Sequence, residues 1–242
     1  MATYNHGVRV LEEATALAVP VSGTAGLQVV IGTAPINLAK NPAAVNEPTI
    51  CSSFSDCEEY LGYSKDFAEY TLCQSMYASF QMFAVAPVVF INVLDPKRHK
   101  KDNAEKQYTV VNKQVTLDEI GVMLETLVVK NDEAVLASGT DYLATFDADG
   151  KVVLTIIKEG DTVSTVKVTS TSIDPTAVTS TDIIGSYDGE TGVETGIEAV
   201  RKVYPKTGMN MGLLLAPGWS QAPEVAAAMA LKCEKLNGVF YS

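Results

Sequence analysis

The pentapeptide Gly218-Trp219-Ser220-Gln221-Ala222 comes nearest to covalent chemistry. It follows an apolar run and precedes a helical pattern, the setting of a nucleophile elbow in serine hydrolases. Such a serine attacks only when a general base, usually a histidine, takes its proton. The chain has two histidines, His6 and His99, and none follows Ser220. Trp219 is also bulky for a tight elbow. A helix cap by Ser220, with Pro223 and Glu224 in the first turn, fits the same residues better.

Other chemistry is encoded no more strongly. Cys51, Cys57, Cys73 and Cys233 form no C-x-x-C pair, and two histidines add little to a ligand set, so no zinc site is expected. Cys73 and Cys233 fall on apolar helical faces and read as small buried thiols. No G-x-G-x-x-G and no P-loop lysine motif is present, so no phosphate cradle and no cofactor is expected. Asp147 and Asp149 flank a turn; ordinary turn chemistry fits them better than a weak calcium site.

The net charge of −11 opposes nucleic-acid binding, which needs a basic face to neutralise phosphates. The one basic cluster, residues 96–102, is short and lacks aromatics; it reads as a solvated linker. No apolar run approaches the ~18 residues of a membrane span. Residues 1–6 lack the charged and apolar regions of a signal peptide, so the expected site of synthesis and residence is a cytoplasm, with no membrane partner. Hydrophobic residues at 47% supply ample core.

Three blocks organise the chain. In the first, residues 6–12 alternate as an edge strand or an extended arm would, and residues 14–26 read as a small-residue loop. Residues 27–32 and 87–94 are apolar runs of buried-strand length, and residues 49–51 a short strand. Ser55 and Glu58 match a capping box for a short helix stopped by Gly62. A longer helix is expected over 66–83, with Phe67, Tyr70, Cys73, Tyr77 and Phe80 on one face.

The second block, about 108–187, is rich in valine and threonine and reads as five to seven short strands of a small sandwich or barrel. Residues 108–117 and 163–169 alternate. Asp149-Gly150 marks a hairpin between 142–146 and 151–156. The third block returns to helix and strand. Ile197, Val200 and Tyr204 mark a helix ended by Pro205; residues 211–217 form a strand and residues 223–236 a helix. A last strand begins at Gly238, as though the chain were a piece of a longer one. The fold class expected is α+β or α/β: an α/β domain interrupted by an inserted all-β domain. The boundaries are 1–26 for the arm and loop, 27–96 and 188–242 for the two parts of the α/β domain, and 104–187 for the insert.

The order His6-Gly7-Val8-Arg9-Val10-Leu11-Glu12, a loop of small residues, then Ala25-Gly26-Leu27-Gln28-Val29-Val30-Ile31-Gly32-Thr33-Ala34-Pro35 resembles the opening of contractile tail sheath proteins of myophages, Gram-positive prophages and R-type bacteriocins. That family opens with a "GVYVxE" strand and reaches a "VVGTAP" strand. The stretch 211–220 resembles its next strand and turn, and 108–187 its variable insert. Family members continue well beyond this point, so their C-terminal arm and tube-facing helix cannot be assigned here.

The resemblance implies a non-enzymatic subunit of hexameric rings, stacked as a helical sleeve around an inner tube. Contraction would drive the tube through a target cell envelope. The implied partners are other copies, the tail tube protein, and baseplate and tail terminator proteins. The implied location is a virion tail or phage-derived particle assembled in the bacterial host cytoplasm. Val8, Val10 and Glu12 would lie on an arm that adds a strand to a neighbour. Two other readings remain: a phage or cell-surface adhesion module with a β insert, and, last, a serine hydrolase built on Ser220.

Overall fold

The structure, a computed structural model, describes residues 26–158, 163–236 and 238–241. It is mixed α+β. In the first block, β1 (Leu27–Gly32), β2 (Thr49–Cys51) and β3 (Val88–Asn92) enclose α1 (Phe54–Tyr60) and α2 (Thr71–Met76). Seven strands follow: β4 (Lys100–Thr109), β5 (Gln114–Ile120), β6 (Val128–Asn131), β7 (Ala134–Val135), β8 (Tyr142–Phe146), β9 (Lys151–Ile156) and β10 (Thr165–Ile173). The last block holds α3 (Ser180–Ile184), a 3-10 helix (Gly196–Lys202), α4 (Val203–Thr207), β11 (Met211–Leu215), α5 (Pro223–Leu236) and β12 (Val239–Tyr241).

The first and last blocks share a five-stranded sheet of order β12-β11-β1-β3-β2. β1 runs parallel to β3, with Val29 opposite Val89 and Ile31 opposite Ile91, and parallel to β11 on its other side. Helices cover this sheet, which is why β1 and β3 read as unbroken apolar runs and not as alternating ones. Val29, Val30, Ile31, Val89, Phe90 and Ile91 have no exposed surface. β2 closes one edge antiparallel to β3.

Polar ties bind the two blocks as well. Asn46 Oδ1 accepts from the Gly196 amide at 2.9 Å. Glu47 holds Lys202 at 2.5 Å and also pairs with Lys206. Burial pushes the Glu47 carboxyl up, but the hydrogen bonds from Lys202 and Lys206 outweigh it and leave the group below its ordinary range. In α5, Lys232 is buried and donates to Glu198 at 2.5 Å.

The middle block forms two antiparallel sheets, β4-β10-β6-β7 and β5-β9-β8. Both feed one apolar cluster, separate from the main core, in which Leu117, Val129, Leu154 and Val166 are buried. β9 and β10 alternate buried and half-buried residues, as strands with one face on a core do. β4 and β10 pair along their length, with Lys100 opposite Ile173, so the block enters and leaves side by side. The hairpin at Asp149-Gly150 is present, joining β8 to β9.

Several elements differ from the sequence reading. The capping box is built by Ser53 and Asp56, two residues earlier than Ser55 and Glu58: the Ser53 hydroxyl accepts from the Asp56 amide at 3.2 Å, and Asp56 Oδ2 accepts from the Ser53 amide at 3.1 Å. Hydrogen bonds from the Ser52 amide and Ser53 hold the Asp56 carboxyl below its usual range. The helix expected over 66–83 starts only at Thr71, because Asp66–Tyr70 forms a turn in which Asp66 Oδ1 accepts from the Glu69 amide. Its second half widens into a π-helix, Tyr77–Met82. The extra residue per turn rotates the apolar stripe, and Tyr77 faces solvent.

Residues 108–117 are not one strand. Val111 and Gln114 exchange backbone hydrogen bonds across Asn112 and Lys113, whose φ values of 52° and 63° make the two-residue turn that suits a hairpin. Pro205 does not end its helix. It lies inside α4, where its fixed φ is tolerated in the first turn, and Gly208 supplies the left-handed cap. Tyr204 is exposed. The basic cluster is only partly a linker: residues 96–99 form a turn on Asp95, and Lys100 and Lys101 already belong to β4.

Candidate functional site

From β1 the sheet grows in both directions, to β3 on one side and to β11 on the other. In open α/β sheets the crevice outside the carboxyl ends at such a switch point is where ligands bind. Here it lies between Gly32-Thr33-Ala34-Pro35 after β1 and Ala216-Pro217-Gly218-Trp219 after β11. Thr71, at the start of α2, fills it. Thr71 Oγ1 accepts from the Thr33 amide at 3.2 Å, Thr33 Oγ1 accepts from the Thr71 amide at 3.0 Å, and the Thr33 hydroxyl donates to the Glu69 carbonyl at 2.7 Å.

The amides at a helix start hold phosphates in nucleotide-binding proteins. In α2 those amides serve the protein's own loop: the Leu72 amide donates to the Thr33 carbonyl at 3.0 Å. The packing leaves no spare space. A Cβ on Gly32 would lie 2.3 Å from Thr71 Oγ1, and one on Gly218 would lie 2.9 Å from Thr71 Cγ2. At the end of β3, buried Asn92 closes the remaining donors, its Oδ1 accepting from the Ala34 amide at 3.1 Å and the Leu94 amide at 3.0 Å.

Ser220 is held in a turn beside this crevice, its amide donating to the Ala216 carbonyl. It does not cap α5. The first-turn amides of Val225 and Ala226 donate to the Ala222 carbonyl, which makes Ala222 the residue before the helix, two places beyond Ser220. Nor does His99 serve it. His99 is buried; its Nδ1 accepts from the Asp95 amide at 3.0 Å and its Nε2 faces Asp182 at 3.6 Å. Asp182 is itself engaged by Thr179 and Arg98. His6 lies outside the described residues.

The remaining candidates are structural. Asp147 Oδ1 accepts from the amides of Asp149 and Lys151, an Asx turn that carries the hairpin. All four cysteines are buried, and burial pushes the Cys73 thiol up to about 12, so it holds its proton. Among the described residues no group of three or more histidine, cysteine or carboxylate side chains could hold a metal ion. Val8, Val10 and Glu12, expected on an arm, lie outside the described residues.

One surface feature escaped the sequence reading. After the π-helix, residues 81–86 are exposed, and Met82 and Phe83 present 62% and 69% of their surface to solvent. Ala84 takes a positive φ of 51°, and the Val85 amide folds back to the Ser79 carbonyl. The result is an apolar knuckle in front of β3. The available signal was charge: no charged residue occurs from Tyr70 to Leu94, a span that reads equally well as buried throughout.

The chain is thus a mixed α+β protein whose expected ligand crevice is closed by its own side chains. No family profile matches it. It is 31% identical over 248 aligned positions to the tail sheath protein of Burkholderia phage BcepMu, an alignment that covers 99% of this chain and 48% of that protein. The chain is similar to a phage tail sheath protein along nearly its whole length and spans about half the length of the curated relative it matches.

The closed crevice makes a direct prediction. Gly32→Ala should destabilise the chain by about 1–3 kcal/mol, since the added methyl has no free volume. Combined with Thr71→Ala, which removes the clashing hydroxyl, it should cost at least about 0.5 kcal/mol less than the sum of the single effects. Urea unfolding of the four proteins checks this; strict additivity would mean that Thr71 does not fill the crevice.

Proposed function

We propose that this chain forms part of a contractile tail sheath subunit, one that polymerises as stacked hexameric rings around an inner tube. Shortening of the sleeve drives the tube through a target cell envelope. The observation that carries the reading is the sequence kinship along 99% of the chain. The self-filled switch point supports it, since a sleeve that stores its energy in a metastable packing needs no nucleotide pocket. Its partners are further copies, the tail tube protein, and baseplate and terminator proteins. Its place is a virion tail or phage-derived particle, assembled in the host cytoplasm.

Within this reading, residues 27–96 and 188–242 are two parts of one α/β body. The segment 104–187 is an inserted β domain, and the pairing of Lys100 with Ile173 favours insertion limits nearer to those two residues. Such a module can be added without parting the strands of the main sheet. The arm is residues 4–13, carrying Val8, Val10 and Glu12. Strand addition to a neighbour supplies backbone hydrogen bonds that survive a rigid-body swing.

Two deletions test the assignment. Removal of residues 1–13 should leave the circular dichroism spectrum unchanged and abolish sedimentable polymer; polymer formed by the shortened protein overturns the arm. Replacement of residues 101–172 by a two-residue Asn-Gly turn should leave polymerisation intact. A folded protein that no longer assembles would place the β domain in the contacts that build the sleeve.

A further inference from the structure

Cys51 and Cys57 lie together in the main core. Each is the fully buried residue of its element: Cys51 in β2 and Cys57 in α1, where every other residue is half-buried or exposed. Only Ser52 and Ser53 separate the strand from the helix, and the Ser53 cap holds the start of the helix there. The two inward side chains meet. Their thiols share a hydrogen bond, and neither residue has exposed surface. The other cysteines are placed differently. Cys73 accepts from the Ser64 amide, and Cys233 belongs to α5, which packs against β11 and β12 at the far side of the sheet.

The hydrogen bond to Cys51 and burial both push the Cys57 thiol up, so in the closed core it keeps its proton. Reaction therefore waits for this corner to open. β2 is three residues long, stands at the edge of the five-stranded sheet and pairs with β3 alone among the described strands. Edge strands and short helices open at lower cost than the centre of a sheet.

We propose that Cys51 and Cys57 are a redox-sensitive pair, which a peroxide converts to a disulfide that staples the edge strand to the helix after it. On opening, one thiolate attacks a peroxide oxygen, becoming a sulfenic acid as the other oxygen leaves as water. The second thiol then attacks the sulfenic sulfur, the S–S bond forms and a second water leaves. The two sulfurs together lose two electrons, and the peroxide gains them. A reducing cytoplasm keeps the dithiol, and an oxidising medium favours the disulfide.

Peptide mapping of the full chain tests it. The folded, reduced chain is treated with hydrogen peroxide, denatured with N-ethylmaleimide and digested with trypsin. Residues 41–65 form one tryptic peptide that carries both cysteines, and Cys73 and Cys233 fall in others. Peptide 41–65 should be two hydrogens lighter and free of maleimide, with Cys73 and Cys233 labelled. The oxidised chain should keep its circular dichroism and unfold a few degrees higher, since the cross-link restricts the unfolded chain. Reductant should restore the original mass and midpoint. Maleimide on Cys51 and Cys57 after peroxide, sulfinic or sulfonic acid in place of the cross-link, a link from either to Cys73, or a midpoint that does not rise would overturn the proposal.

Discussion

The reciprocal hydrogen bonds between Thr33 and Thr71 set the position of everything else in the main body. They join the end of the central strand to the start of the helix that covers it, at the point where the sheet turns from one winding direction to the other. Each threonine satisfies the other's amide, so two donors that would otherwise need water or a ligand are closed internally. Gly32 and Gly218 are needed because a side chain at either would strike Thr71. The switch point at which other open α/β sheets bind ligands is here filled by the protein's own side chains.

The same economy of connection governs the middle block. β4 and β10 leave and return as a paired ribbon, and the Asp174 amide donates to the His99 carbonyl at 2.8 Å where the ribbon joins the body. Asn37 adds a lateral tie, its Nδ2 donating to the Val122 carbonyl at 3.2 Å. The seven strands bury an apolar cluster of their own, and Met123 and Ile173 of the same block pack into the main core.

Much of this fold was legible. β1, β3 and β11 announce themselves as apolar runs ended by Gly, Pro or Asn; β1 and β3, buried on both faces, have no polar side to show, and β11 is apolar though half-buried at three positions. The Asp149-Gly150 hairpin was equally plain. The misreadings have physical causes. The capping box at Ser53 uses aspartate where glutamate was expected, and a shorter carboxylate still reaches the preceding amides. The turn at Asn112 and Lys113 lacks the glycine that usually marks positive φ. No local pattern in residues 77–82 marks the π-helix, whose Ser79 and Phe80 lie against Gln28 of β1 and Phe90 of β3. The knuckle was hidden for a related reason: an apolar segment carries no mark saying whether something covers it.

The claim that this is a sheath subunit is tested most directly by negative-stain electron microscopy of the full gene product that carries this chain, purified, concentrated and mixed with its tube protein. The account predicts hollow, regularly striated sleeves, present in long and short forms. Dispersed particles at every concentration, with and without the tube, would contradict it.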